Sequence, residues 1–384
     1  MATYEGEQMP EAARDERGQL VGTIFDSYDM DLDRVVAELK ARHAAKPMKL
    51  IGIQLPDGMR DYGTDVADRL EKAVGVECIV SADPSYGACD LALNLEKWVD
   101  VLVHFGHTEM PSITGLYKMD VIFVPARHRS DVNEAVLLGA REAERAYGAK
   151  RIGLVTTAQH AHKLTDACAA LEAAGFIPIV GRGDNRLSTP GQLLGCNYTA
   201  GASIDALVDA FVYIGSGDFH PIAIRWGTKK PVILADPYTN EVRRLEEKMD
   251  RLMRQRFAAI TRAEGAQHFG ILVGLRVGQE RMKLAKGLKH MLEAKGKKAT
   301  LIALDFFSWD NLQYFRHLDC LVNTSCPRIT TDDYSRYPMP MLTPPELEIV
   351  LGRRTWEQYV FDEFRGTTAV PKGPQAVAIG KVPE

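Results

Sequence analysis

A pair of strand-like segments occurs three times along this chain. The first segment appears as KLIGIQLPDG from residue 49, KRIGLVTTAQ from residue 150 and HFGILVGLRV from residue 268. The second appears as DVLVHFGHT, DAFVYIGSGDFHP and DCLVNTSCPR, whose first residues Asp100, Asp209 and Asp319 lie 109 and 110 residues apart. Repeats of this length exceed the roughly 20–50 residues of solenoid units. They therefore predict three related domains.

Within each repeat, short apolar runs alternate with helical patterns. This alternation is typical of parallel sheets whose strands are joined by helical crossovers. We predict an α/β fold of three pseudo-repeated domains, each with a small parallel sheet flanked by helices, arranged around a central site. Residues 1–46 are predicted to form an N-terminal tail, in which 1–20 are disordered and 29–44 form an amphipathic helix. The three domains are predicted over 47–147, 148–262 and 263–365, followed by a flexible tail over 366–384.

The composition is that of a globular protein and narrows the choice of partners. The 384 residues are 46% hydrophobic and 26% charged, with a formal net charge of −4. This balance does not favour general nucleic-acid binding, which needs a basic face. The first residues lack the apolar region of a secretory signal, and no apolar run approaches the roughly 20 residues of a membrane helix. We expect a cytoplasmic protein with no membrane partner and no direct nucleic-acid partner.

Six cysteines are too few and too scattered for a disulfide framework. Three of them lie in predicted regular elements, where a free cysteine usually packs as a small apolar side chain. These are Cys78 in the strand VECIV, Cys168 in a helix and Cys320 in the strand DCLVN.

The other three cysteines fall one in each repeat, in loops that contain Gly or Pro. They are Cys89 in YGACD, Cys196 in LGCN and Cys326 in TSCPR. Three unrelated helix-cap residues would give the same pattern, but a loop can also present a thiolate to a cavity. The chain has no local C-x₂-C pair of the kind that binds structural zinc, whereas three distant thiolates can hold a [4Fe–4S] cluster with one iron open. We predict these three cysteines as metal ligands.

Polar and glycine-containing loops follow several predicted strands, as in IQLPDG, HFGHTE, GSGDFHP and ADPY. Functional loops of parallel α/β sheets lie beyond the carboxyl ends of the strands. Glycine at such positions lets backbone amides approach a ligand, although ordinary turns use the same residue types.

Five segments, IQLPDG, ADPSYGACD, VHFGHTE, NTSCPR and PMLTPPE, together resemble the diphthamide-synthesis enzymes of archaea. The resemblance covers residues from about 47 to 350. Members of this family start diphthamide formation on elongation factor 2 as 3-amino-3-carboxypropyl transferases. The resemblance implies a homodimer of three-domain subunits in which one cysteine per domain (Cys89, Cys196, Cys326) holds a [4Fe–4S] cluster.

The resemblance also implies the reaction. S-adenosylmethionine (SAM) is the cosubstrate, and the open iron passes on one electron from an electron donor. The bond to the aminocarboxypropyl carbon breaks, methylthioadenosine is left, and the fragment adds to a ring carbon of a histidine in elongation factor 2. No catalytic residue is assigned beyond the cluster. Our candidates for the SAM pocket are strand-end residues: Gln54, Asp57, His104, His107, Gly215, Asp218 and Asp236.

Two other classes of protein are compatible with the pattern. Quinolinate synthase also arranges three pseudo-repeated domains and three cysteines around a cluster, but its open iron acts as a Lewis acid in a dehydration and condensation. A three-domain ligand-binding protein with incidental loop cysteines would purify colourless, whereas a cluster protein would be brown. The YGACD and SCPR segments favour the diphthamide family. The eukaryotic form of that enzyme is a heterodimer, and the presence of all three cysteines here favours a self-sufficient homodimer.

Overall fold

A computed structural model of the chain describes residues 23–332, 336–367 and 376–377. The predicted disordered segment 1–20 and most of the predicted tail 366–384 lie outside these residues. The described chain forms three sheets of four to six strands from three successive regions, each mainly parallel and flanked by helices. The predicted fold class is therefore confirmed. No helix in the described regions is long and apolar enough to cross a membrane.

A short N-terminal segment packs against the first sheet. It contains α1 (Ile24–Ser27), β1 (Tyr28–Asp29) and α2 (Leu32–Ala45). Helix α2 corresponds to the predicted amphipathic helix. Val35 and Leu39, four residues apart on one face, are buried in the core of the first sheet, because residues at this spacing lie on the same side of a helix.

The first unit contains a four-stranded parallel sheet with the order β3-β2-β4-β5. Its strand β6 pairs with β1 instead, in an antiparallel ribbon. The elements are β2 (Leu50–Gln54), α3 (Gly63–Val74), β3 (Glu77–Val80), β4 (Val101–Phe105), β5 (Val121–Val124) and β6 (Arg127–His128).

The second unit contains six strands in the order β11-β10-β9-β7-β8-β16, with antiparallel strands at both edges. Its elements are α4 (Asn133–Tyr147), β7 (Arg151–Thr156), α5 (Leu164–Ala173), β8 (Ile177–Gly181), α6 (Thr199–Ala202), β9 (Ala210–Ile214), α7 (Phe219–Thr228), β10 (Val232–Ala235), β11 (Val242–Arg244) and α8 (Glu246–Ala263).

The third unit contains a four-stranded parallel sheet with the order β13-β12-β14-β15. Its elements are β12 (His268–Gly274), α9 (Met282–Glu293), β13 (Lys298–Leu304), α10 (Trp309–Leu312), β14 (Cys320–Asn323), α11 (Pro327–Thr331), β15 (Met341–Leu342) and α12 (Pro344–Val350). Strand β16 (Ala376–Val377) returns to the second sheet, where it pairs with β8.

The three sheets share one strand order. In each of them the second strand of the unit is followed by the first, the third and the fourth, as in β3-β2-β4-β5, β8-β7-β9-β10 and β13-β12-β14-β15. The first and third strands are therefore always neighbours. These are the two strands whose sequences repeat along the chain, so the repeat reflects a recurring pair at the centre of each sheet.

One aspartate in each unit joins these two central strands. The Oδ2 atom of Asp100 accepts hydrogen bonds from the backbone N–H groups of Lys49 (2.6 Å) and Leu50 (3.2 Å). Asp209 binds the N–H groups of residues 150 and 151 in the same way, and Asp319 binds those of residues 267 and 268. Each carboxylate thus fixes where its third strand begins relative to its first.

Hydrogen bonds hold the pKa of all three carboxyl groups below its usual value. For Asp100 and Asp319 the main cause is the backbone donors, and for Asp209 it is the Arg151 side chain followed by the backbone. A carboxyl group whose pKa is lowered in the folded state stabilises the fold at pH values above its pKa in the unfolded chain, which is near 4. That stability is lost as the pH falls through the folded-state pKa.

Replacing Asp100, Asp209 or Asp319 with asparagine is expected to lower the free energy of unfolding at pH 7 by about 1 kcal/mol, because each bond to a charged acceptor becomes a neutral one. Urea denaturation at pH 7 and at pH 2.5 measures this. The deficit should shrink at the lower pH, because pH 2.5 lies below the pKa of the carboxyl group in the unfolded chain, and part of the stability that the lowered pKa gives the wild type is lost there. Asp68→Asn, on the exposed face of α3, is the control. A deficit that is equal at both pH values would contradict the expectation.

Two helices connect neighbouring units. Helix α4 lies within the predicted first domain, yet its apolar face packs in the core of the second sheet. On helix α8, Met249 and Leu252 lie in the core of the second unit, whereas Ala259 and Ile260 lie in the core of the third. The predicted boundaries at 147/148 and 262/263 stay predictions. Helices α4, α7 and α8 were not predicted from the sequence.

Candidate functional site

The three loop cysteines converge in the interior between the units. Cys89 lies between β3 and β4, Cys196 lies between β8 and α6, and Cys326 directly precedes α11. Burial, followed by the neighbouring Cys196 thiol, raises the pKa of Cys89 to about 12. Burial, followed by Cys196 and Cys89, also raises the pKa of Cys326. Each thiol therefore lies within electrostatic range of the others.

The three loop thiols form no disulfide bonds. All six cysteines of the chain are free, and each of the three loop cysteines is intermediate in exposure as a residue. Burial also raises the pKa of the Cys196 thiol, and the nearby Arg186 guanidinium opposes this. With raised pKa values the thiols carry protons at neutral pH, and metal binding has to displace these protons.

The remaining cysteines are in the cores, as expected. Cys320 in β14 is fully buried and Cys168 in α5 is 9% exposed. Cys78 in β3 is half-buried and packs against the core of the first sheet.

A single metal ion does not fit this arrangement. Among the residues that the structure describes, no group of three His, Cys, Asp or Glu side chains could hold a metal ion. A cluster of four irons and four sulfides is several ångströms across and separates its thiolate ligands more than one ion does. The three cysteines are close enough to affect one another's pKa but are not arranged around a single ion. This arrangement suits a [4Fe–4S] cluster better than one metal ion.

Buried arginines approach the same region, and sequence analysis did not single them out. Arg186 lies beside the Cys196 thiol, and its Nε has no hydrogen-bond partner in the described part of the chain. The same holds for Nε and Nη1 of Arg328, whose remaining nitrogen pairs with Asp332. A buried, unpaired N–H group is costly. These donors therefore fit an anionic group bound among the cysteines, such as a thiolate-ligated iron–sulfur cluster.

Three of the predicted cofactor-binding residues form one hydrogen-bonded chain. The Gln54 amide donates from Nε2 to the carbonyl of Asp90 (2.8 Å), and its Oε1 lies 2.8 Å from Nδ1 of His104. His104 Nε2 lies 2.9 Å from Nδ1 of His107. Asp90 directly follows Cys89, so this chain leads from the end of β4 to a cysteine loop.

Burial keeps both histidines of this chain neutral. It lowers the pKa of His104 well below its usual value, with His107 contributing, and it lowers the pKa of His107 to about 4. The pKa of His220 is lowered to about 3 by burial, then by Arg328 and His107. His220 in the second unit therefore lies within electrostatic range of the first unit and of the Cys326 loop.

The other predicted residues have local partners. Asp57 forms an ion pair with Arg60, and Asp218 forms one with Lys248. Asp236 Oδ1 accepts a hydrogen bond from the N–H of residue 238 (2.8 Å), as in an ordinary turn. At Gly215 (φ 148°) a Cβ would lie 2.8 Å from the hydroxyl oxygen of residue 213, so no side chain fits there. All four stay predictions as cofactor contacts.

A C-terminal segment also reaches the site. The Phe364 N–H donates to the carbonyl of Cys196 (2.8 Å), and the side chain of Asn197 donates to the carbonyl of Phe364 (2.8 Å). The Gly366 N–H donates to Asp184 (2.7 Å). This segment therefore fixes the Cys196 loop from the far end of the described chain.

Three α/β units of one strand order, with a free thiol from each unit converging beside buried cations, are typical of proteins that hold a multinuclear metal cluster. Comparison with known proteins gives the family. The family model of diphthamide synthesis proteins matches residues 55–360. The chain therefore belongs to the diphthamide synthesis family.

Individual relatives agree with this assignment. The chain is 36% identical over 349 residues to 2-(3-amino-3-carboxypropyl)histidine synthase of Pyrococcus horikoshii, covering 89% of this chain and 98% of that protein. Subunit 1 of the corresponding mouse synthase is 27% identical over 366 residues, covering 94% of this chain and 80% of its own length. The crystal structure of Dph2 from Pyrococcus horikoshii with a 4Fe–4S cluster matches with a TM-score of 0.78 and 34% identity, covering 90% of this chain and 98% of that one.

Proposed function

We propose that this protein is a 2-(3-amino-3-carboxypropyl)histidine synthase. It transfers the 3-amino-3-carboxypropyl group of SAM to a histidine ring carbon of elongation factor 2, which is the first step of diphthamide biosynthesis, and it releases methylthioadenosine. The observation that carries this proposal is the convergence of three free thiols, one from each repeated unit, in a chain of the diphthamide synthesis family. The Lewis-acid reaction of quinolinate synthase is not favoured.

Cys89, Cys196 and Cys326 would each bind one iron of a [4Fe–4S] cluster and leave the fourth iron open. When bound, the cluster supplies the electron that cleaves a carbon–sulfur bond of SAM. Arg186 and Arg328 would balance the negative charge of the thiolate-bound group with buried N–H donors that have no hydrogen-bond partner among the residues that the structure describes. Overall the transfer is redox-neutral, since a carbon–sulfur bond breaks, a carbon–carbon bond forms and the ring carbon loses a proton.

For the SAM pocket we propose the strand-end loops that face the cysteines, with Gln54, His104 and His107 as the best-supported contacts. Burial keeps these histidines neutral. A neutral imidazole can donate and accept hydrogen bonds without repelling the positive sulfonium of SAM. Gly215 would allow close approach of a ligand to the backbone. Asp57, Asp218 and Asp236 remain candidates.

The partners follow from the reaction. Elongation factor 2 is the protein substrate of diphthamide synthesis. We further propose a homodimer, an external electron donor and a cytoplasmic location. Size-exclusion chromatography with light scattering would measure the oligomeric state, and a mass equal to one chain would exclude the homodimer.

The test is SAM cleavage by the anaerobically reconstituted, dithionite-reduced protein, with the nucleoside products separated by chromatography. We expect methylthioadenosine, formed only when both cluster and reductant are present. Adding elongation factor 2 should then give a modified histidine that mass spectrometry can locate. 5′-Deoxyadenosine as the product would contradict the proposed bond cleavage. A loaded cluster without any SAM cleavage would favour Lewis-acid chemistry instead.

A further inference from the structure

One loop of the third unit contacts all three cysteine loops. This bridging loop (residues 275–281) connects β12 to α9. Its Gly278 N–H donates to the carbonyl of Cys89 (3.1 Å), and its Gly278 carbonyl accepts from Nη2 of Arg186 (3.2 Å), the arginine beside Cys196. Its Arg281 donates to the carbonyl of Thr324 (2.6 Å), just before Cys326. The bridging loop therefore connects the loops that contain Cys89, Cys196 and Cys326.

The contact with Cys89 is direct. A Cβ atom at Gly278 would lie 2.3 Å from the Cβ and 2.5 Å from the Cα of Cys89, so only glycine allows this approach. Arg276 of the same loop pairs with Asp90 at 2.5 Å, and both side chains are largely buried. The Cys89 loop is thus held at two points, the backbone of Cys89 and the side chain of Asp90.

Within the bridging loop, Gln279 reaches the sulfur atom itself. Its Nε2 donates to Sγ of Cys89 at 3.4 Å. At the other end of the amide, Oε1 accepts from the hydroxyl of Ser325 at 2.9 Å. A metal-bound thiolate can only accept hydrogen bonds, so the amide must present its NH₂ group to Cys89. Ser325, next to Cys326, holds the amide in that orientation.

We propose that Gln279 is a positioning residue that sets the reduction potential of the cluster through its N–H···S hydrogen bond to Cys89. This inference rests on the proposed function, since it assumes that Cys89 is a cluster ligand. A hydrogen bond to a ligating sulfur withdraws negative charge from it and favours the reduced, more negative cluster. The bond therefore raises the potential at which the site accepts its electron.

The experiment is a redox titration of the anaerobically reconstituted full-length protein, followed by electron paramagnetic resonance of the reduced cluster. Gln279→Leu removes the donor, and Gln279→Glu keeps the shape but replaces the donor with a charge. For Gln279→Leu we expect the equilibrium constant for one-electron reduction to fall about tenfold, which is about 59 mV. For Gln279→Glu this equilibrium constant should fall at least as far. For Ser325→Ala, which only removes the hydrogen bond that orients the Gln279 amide, it should fall less.

Gln267→Leu is the matched control, because this exposed glutamine at the start of β12 lies at the opposite end of the strand. The reduction potential of the cluster in Gln267→Leu should equal that of the wild type. Unchanged potentials in loaded Gln279→Leu and Gln279→Glu would overturn the inference. Loss of iron from both, beside a loaded wild type, would also overturn it and assign Gln279 to cluster assembly. A wild-type protein that takes up no cluster would overturn the proposed function itself.

Discussion

Replacing Cys89, Cys196 or Cys326 singly with alanine is expected to remove most of the iron and to lower SAM cleavage by more than about 100-fold. Loss of a residue that only supports a metal ligand already costs about 10–100-fold in affinity or activity, and loss of a ligand should cost more. Iron and sulfide content after anaerobic reconstitution, the visible absorbance of the cluster and the yield of methylthioadenosine measure the effect.

Cys168→Ala is the matched control. Cys168 is also a free cysteine, but it lies in helix α5 and packs in the core of the second unit. Its replacement should cost about 1 kcal/mol of stability, as is common for a small core change, and should leave the iron content unchanged. If Cys168→Ala lost iron as completely as the other three variants, the division of the cysteines into ligands and core residues would be wrong.

Arg256→Met is expected to lower the free energy of unfolding by about 3–5 kcal/mol, the usual cost of leaving one member of a buried ion pair alone. Arg256 and Glu346 are both fully buried and are joined by two bonds of 2.7 Å. Arg256 also donates to the carbonyls of Thr330 and Met341. The pair therefore connects α8 to α12 and to the end of the third sheet. Chemical denaturation at pH 7 measures the loss.

A double variant separates charge from packing. Arg256→Met with Glu346→Gln removes the unpaired charge, so it should be more stable than Arg256→Met alone. Lys289→Met, which breaks a partly exposed pair with Glu293 (3.6 Å), should change stability by less than about 0.5 kcal/mol. A double variant no more stable than Arg256→Met would show that lost packing and hydrogen bonds to the carbonyls dominate.

Most of the sheet framework could be predicted from the sequence. The strands that begin the repeats are buried on both faces and read as continuous apolar runs, so their positions were evident, and β2 has the predicted bounds (Leu50–Gln54). Helices α4 and α8 were missed because they lie where one unit joins the next. Repeat matching gives no signal there, and the apolar residues of α8 serve two different cores.

The site was less predictable than the sheets. The loop cysteines were identifiable because thiols in Gly- and Pro-containing loops are unusual, one in each unit. Gln279 has no motif around it, and its importance comes only from its approach to Cys89 across the units. Asp218 was predicted as a site residue from the GSGDFHP loop, but its pairing with Lys248, 30 residues away, was not predicted. The Asp57–Arg60 pair was not predicted either, although the two residues are only three apart.

The segment around Phe364 is the last of the site elements described above to be synthesised. Cys89 leaves the ribosome early, and N-terminal units generally fold first during synthesis. The Cys196 loop, however, is completed only when Phe364 and Gly366 have bound it. We therefore expect stable iron binding only after residues 364–366 have been synthesised and have bound the Cys196 loop. A nonsense mutation just before Phe364 would leave every thiol in place and still yield a protein with poor iron retention.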